Sequence, residues 1–281
     1  MEKLRNLRRA IGYVLLFLAV QFACSLVASI GAQVYFQTTA SDRAAELYDA
    51  FASDYSTVIL LSSQVLTILI IMVLAKLRGM PLWDLVQGGQ NIGRRQVACL
   101  LMAGACGNIL TTGAMELLPL PQQLMESYNQ ASQGLNTSLL WADLLSVAIF
   151  APLVEELIFR GLVLSRLRKA MPAWLAVLLQ GLVFGFVHGQ LVWIVYATLF
   201  GLLLGYVRLR TDSLKASILL HMGFNLSSFF IGIAFYLAPQ NFLGQLSVTL
   251  LGGIMLAGFL SIAFQGLKQG PNEEEPSEWE N

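Results

Sequence analysis

Of 281 residues, 56% are apolar and only 12% charged, with seventeen basic and seventeen acidic side chains and a formal net charge of +0, far from the roughly 25% charged content of soluble domains. That balance excludes a basic nucleic-acid-binding protein, and three cysteines at 24, 99 and 106, all inside apolar runs, exclude a disulfide scaffold or a thiolate metal cluster. What remains is an all-α, polytopic membrane helix bundle.

Apolar runs of about 17 to 25 residues are each long enough to cross the hydrocarbon core. Eight are predicted, over 11–36, 56–77, 96–118, 138–163, 173–189, 190–208, 213–236 and 243–266. The first follows a basic stretch, Lys3 to Arg9, but its apolar run exceeds the length of a signal-peptide core, so it reads as an uncleaved helix. Residues 37–55 read as an outer loop with a short surface helix, and 78–95 as a basic, Gly-rich inner loop anchored by Trp83. Residues 119–137, with Pro119, Pro121 and many Gln and Asn, read as an irregular outer loop. The chain thus divides into N-terminal membrane helices with their loops (1–137), a helix core carrying the polar motifs (138–267) and an acidic, disordered tail (268–281).

Positively charged loops stay cytoplasmic. With the amino terminus inside, all seventeen basic residues except Arg43 and Arg160 fall on cytoplasmic segments. Both termini are therefore expected in the cytoplasm, in a multi-pass protein of the plasma membrane. Glycines four apart, Gly181, Gly185 and Gly189 and again Gly201 and Gly205, predict close packing of the fifth and sixth helices.

Ionisable groups at membrane depth cost a few kcal/mol each and read first as a functional site. Glu156 and Arg160 are four apart on one helix face, acid first, and so form an ion pair. Glu155, rotated about 100° away, has no such cation on its own helix and faces the site. A carboxylate in a dry setting suits a general base near neutral pH. The only two histidines follow: His188 in Phe184-Gly185-Phe186-Val187-His188, and His221 in His221-Met222-Gly223-Phe224-Asn225, where His221 and Asn225 share a face. Glu156 precedes Pro172 by sixteen residues and His188 follows it by sixteen, so a hairpin turning at Pro172 sets them at similar height. His221 lies eight residues, roughly 12 Å, above the turn at Asp212 and Ser213. These heights place the site in the cytoplasmic half of the membrane.

Glu155-Glu156-x-x-x-Arg160, Phe184-x-x-x-His188 and His221-x-x-x-Asn225 together resemble the three motifs of the CPBP family, the CAAX prenyl endoproteases and bacteriocin-processing (Abi) intramembrane proteases. The resemblance covers about residues 140–230 and implies an eight-helix intramembrane endopeptidase. It implies that Glu155 and His188 activate water, that His221 and Asn225 stabilise the oxyanion, and that Glu156 and Arg160 support the site. The family has also been described as metalloproteases, including in bacteriocin immunity; His188, His221 and Glu155 would be the three protein ligands of an open Zn2+ site. Glu/His chemistry without a cofactor uses the same residues, and both stay open at this point. The expected partner is a membrane-associated or lipidated peptide or protein at the membrane's inner face. The alternative is a non-proteolytic membrane protein, a transporter or a signalling or immunity scaffold.

Overall fold

The computed structural model of the chain describes residues 1–135 and 137–267, so the expected disordered tail lies outside the described residues. Among them there is no strand, only an isolated antiparallel bridge between Gly89 and Ser213. The fold is an all-α bundle.

Helix α1 (Glu2–Thr39) is followed by α2 (Ala44–Asp54), the short surface helix of the first loop, and by α3 (Ser56–Leu77). A short α4 (Leu82–Leu85) leads to α5 (Arg94–Leu117). Next comes α6 (Gln122–Gln133), within the connection expected to be irregular. Pro121 precedes it, and Leu124, Tyr128 and Ala131 recur on one side; Tyr128 packs edge-on to Trp193 with ring centroids 6.2 Å apart. The prolines punctuate the start of a helix rather than forbid one.

The fourth apolar run is one winding rod of changing pitch: α7 (Leu140–Asp143), π1 (Leu144–Phe150), α8 (Ala151–Glu156), π2 (Leu157–Val163) and α9 (Leu164–Leu167). Widening just before Pro152 has a cause, since a proline ring crowds the carbonyl one turn back and offers no N–H. Then follow α10 (Ala173–Phe186), α11 (Leu191–Thr211), α12 (Leu214–Ser227), α13 (Ile231–Leu237) and α14 (Phe242–Phe264). The Gln190 side chain caps α11 by accepting from Trp193 N at 2.8 Å, and Asn241 caps α14 by accepting from Gly244 N at 2.9 Å.

Among the described residues five helices are long and apolar enough to cross a membrane: α1, α3, α5, α11 and α14. Helices α12 and α13, bent by 58°, make a sixth if they form one span. The chain is a multi-pass integral membrane protein, but the predicted count of eight is not reached. The fourth run is divided by its two π stretches and carries four charged residues, Asp143, Glu155, Glu156 and Arg160, while α10 has only 14 residues, short of the hydrocarbon thickness.

Packing brings α12 against α5 and α11 against α10. A Cβ on Gly104 would stand 2.1 Å from the Leu220 carbonyl oxygen, so only glycine lets α5 approach the turn that precedes His221. Likewise a Cβ on Gly185 would stand 2.0 Å from Thr198 Oγ1. Gly189, by contrast, takes no part in that contact; it turns the chain after α10 with φ of +73°.

The segment after α4 is more than an anchor. Leu85 and Val86 are buried, Gln90 N donates to the Asp212 carbonyl at 2.9 Å, and Leu214 N donates to the Gly88 carbonyl at 3.0 Å. This strap closes the basic end of the bundle beneath π2, where Val86 packs on Gly161.

Candidate active site

Arg160, Glu156 and His221 form a buried relay. Arg160 NH1 donates to Glu156 Oε1 at 2.8 Å, and neither side chain is exposed. The other end of the guanidinium donates from NH2 to the Gly201 carbonyl at 3.1 Å, and its plane lies 4.2 Å from the Phe184 ring centroid, a favourable place for a cation. Gln180 Nε2 also donates to Gly201 O, at 3.1 Å. Glu156 Oε1 in turn lies 3.0 Å from His221 Nδ1. A carboxylate oxygen already accepting from arginine can only accept, so Nδ1 carries the proton and donates. His221 is thereby fixed in rotation, with Phe184 and Phe200 edge-on to its ring at centroid distances of 5.9 and 5.3 Å.

The second ring nitrogen, Nε2, lies 3.7 Å from Glu155 Oε2. Glu155 lines a cavity of about 480 Å³ together with His188, His221 and Asn225. Its side chain is 17% exposed, whereas Glu156 is sealed. Adjacent carboxylates thus sit in different surroundings because consecutive helical positions point about 100° apart. His188 stands at the end of α10, where Nδ1 lies 2.7 Å from the Phe184 carbonyl. A carbonyl only accepts, so Nδ1 donates there and Nε2 keeps its lone pair.

Asn225 is held by a vacancy in the hydrogen-bond ladder. In π1 the Ala151 N–H donates five residues back, to Ser146 O. The same pitch assigns Val147 O to residue 152, a proline, which has no N–H to give. Asn225 Nδ2 supplies the donor, at 2.8 Å from Val147 O. One amide proton is therefore committed to the rod that carries Glu155, and one is left. Asn108, buried on α5, donates to the Phe224 carbonyl at 3.1 Å and fixes the same turn of α12 from behind.

The three sequence motifs therefore meet at one place. Sequence reasoning missed the link from Glu156 to His221, which joins residues 65 apart in the chain, and missed Gln180, Asn108 and the cavity-lining Tyr196. Polar side chains inside apolar helices were the signal available for each of these.

The suggested metal ligands do not assemble. Among the described residues no group of three or more His, Cys, Asp and Glu is gathered to hold a metal ion. Nδ1 of each histidine is committed, His188 to Phe184 O and His221 to Glu156, which leaves Nε2 of each as the remaining ring nitrogen. It is the separation of His188, His221 and Glu155, not their hydrogen bonding, that does not fit a three-ligand zinc site.

The cavity also lies at the other end from the one the height argument gave. Its walls include Tyr128 and Ser132 of α6 and Val187 and Trp193 beside the Gly189 turn. The basic turns border a separate cavity of about 500 Å³, lined by Trp83, Arg168, Lys169 and Arg208. Counting residues up from Asp212 misplaced His221 because the chain turns inward directly after that residue. Ser213 and Leu214 are fully buried, with the strap folded beneath them.

Comparison with known proteins places this geometry in a family context. Residues 137–227 match the model of the Rce1-like family, type II CAAX prenyl endopeptidases. An uncharacterized 24.3 kDa protein of Escherichia coli is 38% identical over 84 residues, which are 28% of this chain and 39% of that protein's length. No solved structure matches. The segment that holds all three polar motifs is thus the part of the chain that is similar to the Rce1-like family of type II CAAX prenyl endopeptidases.

Proposed function

We propose that the protein is an intramembrane endopeptidase that hydrolyses a peptide bond of a membrane-associated or lipidated peptide or protein. The observation that carries this reading is Glu155, a cavity-lining carboxylate 3.7 Å from a histidine nitrogen whose ring is fixed from behind by Glu156 and Arg160. In this cycle Glu155 takes a proton from water, and His188 Nε2 helps align that water. The water oxygen bonds to the carbonyl carbon of the scissile peptide. Charge on the former carbonyl oxygen is met by the free N–H of Asn225 and by His221, whose ring is held in place by Glu156 and Arg160. Collapse breaks the C–N bond, and the proton taken by Glu155 passes to the leaving amine. Oxyanion donors of this kind contribute about 3 to 4 kcal/mol each in other hydrolases.

With the basic turns 78–95, 166–172 and 208–215 in the cytoplasm, both termini lie inside and the cavity mouth faces the outer side. The substrate then enters past α6. Purified protein is to be incubated with a panel of internally quenched peptides, farnesylated and unlipidated, alongside Glu155→Gln. Cleavage by the wild type that disappears in Glu155→Gln and survives exhaustive chelation supports the reading. Cleavage retained by Glu155→Gln, or lost on chelation and restored by zinc, overturns this mechanism. No cleavage of any peptide by a folded wild type leaves the transporter or scaffold reading.

A further inference from the structure

The cavity wall holds two polar side chains that the proposed chemistry does not use. Gln21 projects from α1, outside the segment that matches the family, and Tyr196 from α11; both line the cavity that holds Glu155, His188 and His221. Within the described residues neither side chain makes a hydrogen bond. The asparagines and Thr112 of the wall are hydrogen-bonded within the protein, and two aromatic side chains stand at its mouth. Asn108 and Asn225 donate to backbone carbonyls, Thr112 donates to Asn108, and Tyr128 and Trp193 pack on each other at the mouth.

Their positions are related by helical geometry. Gln21 lies four residues after Phe17, which packs edge-on to Phe159 at 5.7 Å on the floor of the site. Tyr196 lies four residues before Phe200, whose ring touches His221 at 5.3 Å. Helix α1 runs away from the basic end and α11 runs toward it, so each polar group stands one turn, about 6 Å, nearer the mouth than an aromatic of the floor. An unpaired carboxamide in a membrane-spanning helix, and an unpaired phenol half-buried against Phe224, are costly without a partner. A primary carboxamide both donates and accepts, which is the complement of a peptide group. A phenol is the complement of a carbonyl oxygen.

We propose that Gln21 and Tyr196 grip the backbone of the bound peptide on the mouth side of the scissile bond. The Gln21 carboxamide pairs with one peptide N–H and C=O, and the Tyr196 hydroxyl donates to a neighbouring carbonyl. This rests on the endopeptidase reading above, and it makes α1 part of the substrate site. It also makes recognition there independent of side-chain sequence, because only backbone atoms are read.

The test uses the full chain in detergent, a quenched peptide that the wild type cleaves, and the same peptide with its backbone amides replaced one at a time by esters. Gln21→Leu and Tyr196→Phe should each lower kcat/KM on the parent peptide about tenfold, the range of one hydrogen bond, with melting temperatures equal to or above the wild type. At one ester position the wild type should lose a similar factor and Gln21→Leu should lose none further, because the missing partners are the same. Wild-type kinetics in both variants, or equal losses for wild type and Gln21→Leu at every ester position, overturns the grip while leaving the endopeptidase reading intact. A lowered melting temperature with unchanged ester sensitivity assigns the two residues to helix packing and also overturns it. If the wild type cleaves no peptide in the panel, the endopeptidase reading falls and takes the grip with it.

Discussion

Arg160 in the middle of the bundle and Arg208 at its basic end are each tied to a carboxylate four residues away and to a backbone carbonyl on another element. Arg160 holds Glu156 at 2.8 Å and Gly201 O at 3.1 Å. Arg208 holds Asp212 at 2.9 Å and the Gln87 carbonyl. The regions differ in what the carboxylate does next. Glu156 is sealed and gives its bonded oxygen to His221 as well, while its second oxygen is buried without a partner. Asp212 is 35% exposed, and its own backbone pairs with the strap. A buried ion pair is therefore no functional signature by itself. At the basic end the arrangement locks a connection; in the middle it orients a histidine beside a second, more accessible carboxylate.

Four substitutions test that contrast. The largest effect is expected for Glu156→Gln, which leaves Arg160 buried without its anion and gives Arg160 and His221 only a neutral amide oxygen to share. Breaking one partner of a buried pair costs about 3 to 5 kcal/mol, so the melting temperature in detergent and the peptide turnover should fall together. Wild-type stability in this variant would mean that Arg160 is satisfied by Gly201 and Phe184 alone.

Glu155→Gln should separate the two readouts. Size and polarity are kept and no buried cation loses its partner, so melting should not change. Loss of a general base typically costs 100-fold to 10,000-fold, and turnover should drop by about 1,000-fold. A fall in melting temperature as large as that of Glu156→Gln would show that the two carboxylates share one structural role.

Asn225→Ala tests the link between Pro152 and α12. It strips Val147 O of the donor that proline cannot provide, at about 1 to 3 kcal/mol for a buried acceptor left unpaired. Turnover should fall as well, since Val147 lies on the rod that positions Glu155. Hydrogen exchange resolved by peptide should show loosening across 144–156 in this variant; unchanged protection there would break the link.

The contrast also marks what a sequence shows of such a protein. Glu155, His188 and His221 stand out because ionisable residues are rare in apolar helices, and spacing of four puts Glu156 with Arg160, and His221 with Asn225, on common faces. Which nitrogen of His221 meets which glutamate depends on tertiary packing at Gly104 and Gly223, and no local pattern specifies it. The π pitch before Pro152 was hinted at by a proline inside an apolar run, yet its consequence, a carbonyl captured by Asn225, requires knowing that α12 passes there. Helix α6 escaped notice because its prolines and amides look like loop composition, although Leu124, Tyr128 and Ala131 carry a helical period. The site's end of the bundle was misjudged for a related reason: counting from turns assumes that the helix after a turn starts at the surface, and directly after Asp212 the chain turns inward.

The smallest effect is expected at Arg208, and it is the closest test of the comparison. Arg208→Gln removes charge-assisted bonds to Asp212 and Gln87 O but leaves an amide that can still donate to one of them. Asp212 is exposed enough to be hydrated when released, so no ion is stranded. The loss should be near the low end for hydrogen bonds to charged groups, about 1.5 kcal/mol, and it should be confined to stability. Limited proteolysis should then find the 82–90 strap more readily cut, while kcat/KM stays at the wild-type value, since the cavity holding Glu155 lies at the other end of the bundle. A turnover defect as large as that of Glu156→Gln would mean that the strap, through Val86 against Gly161 of π2, sets the position of the rod, and the two arginines would then serve one device.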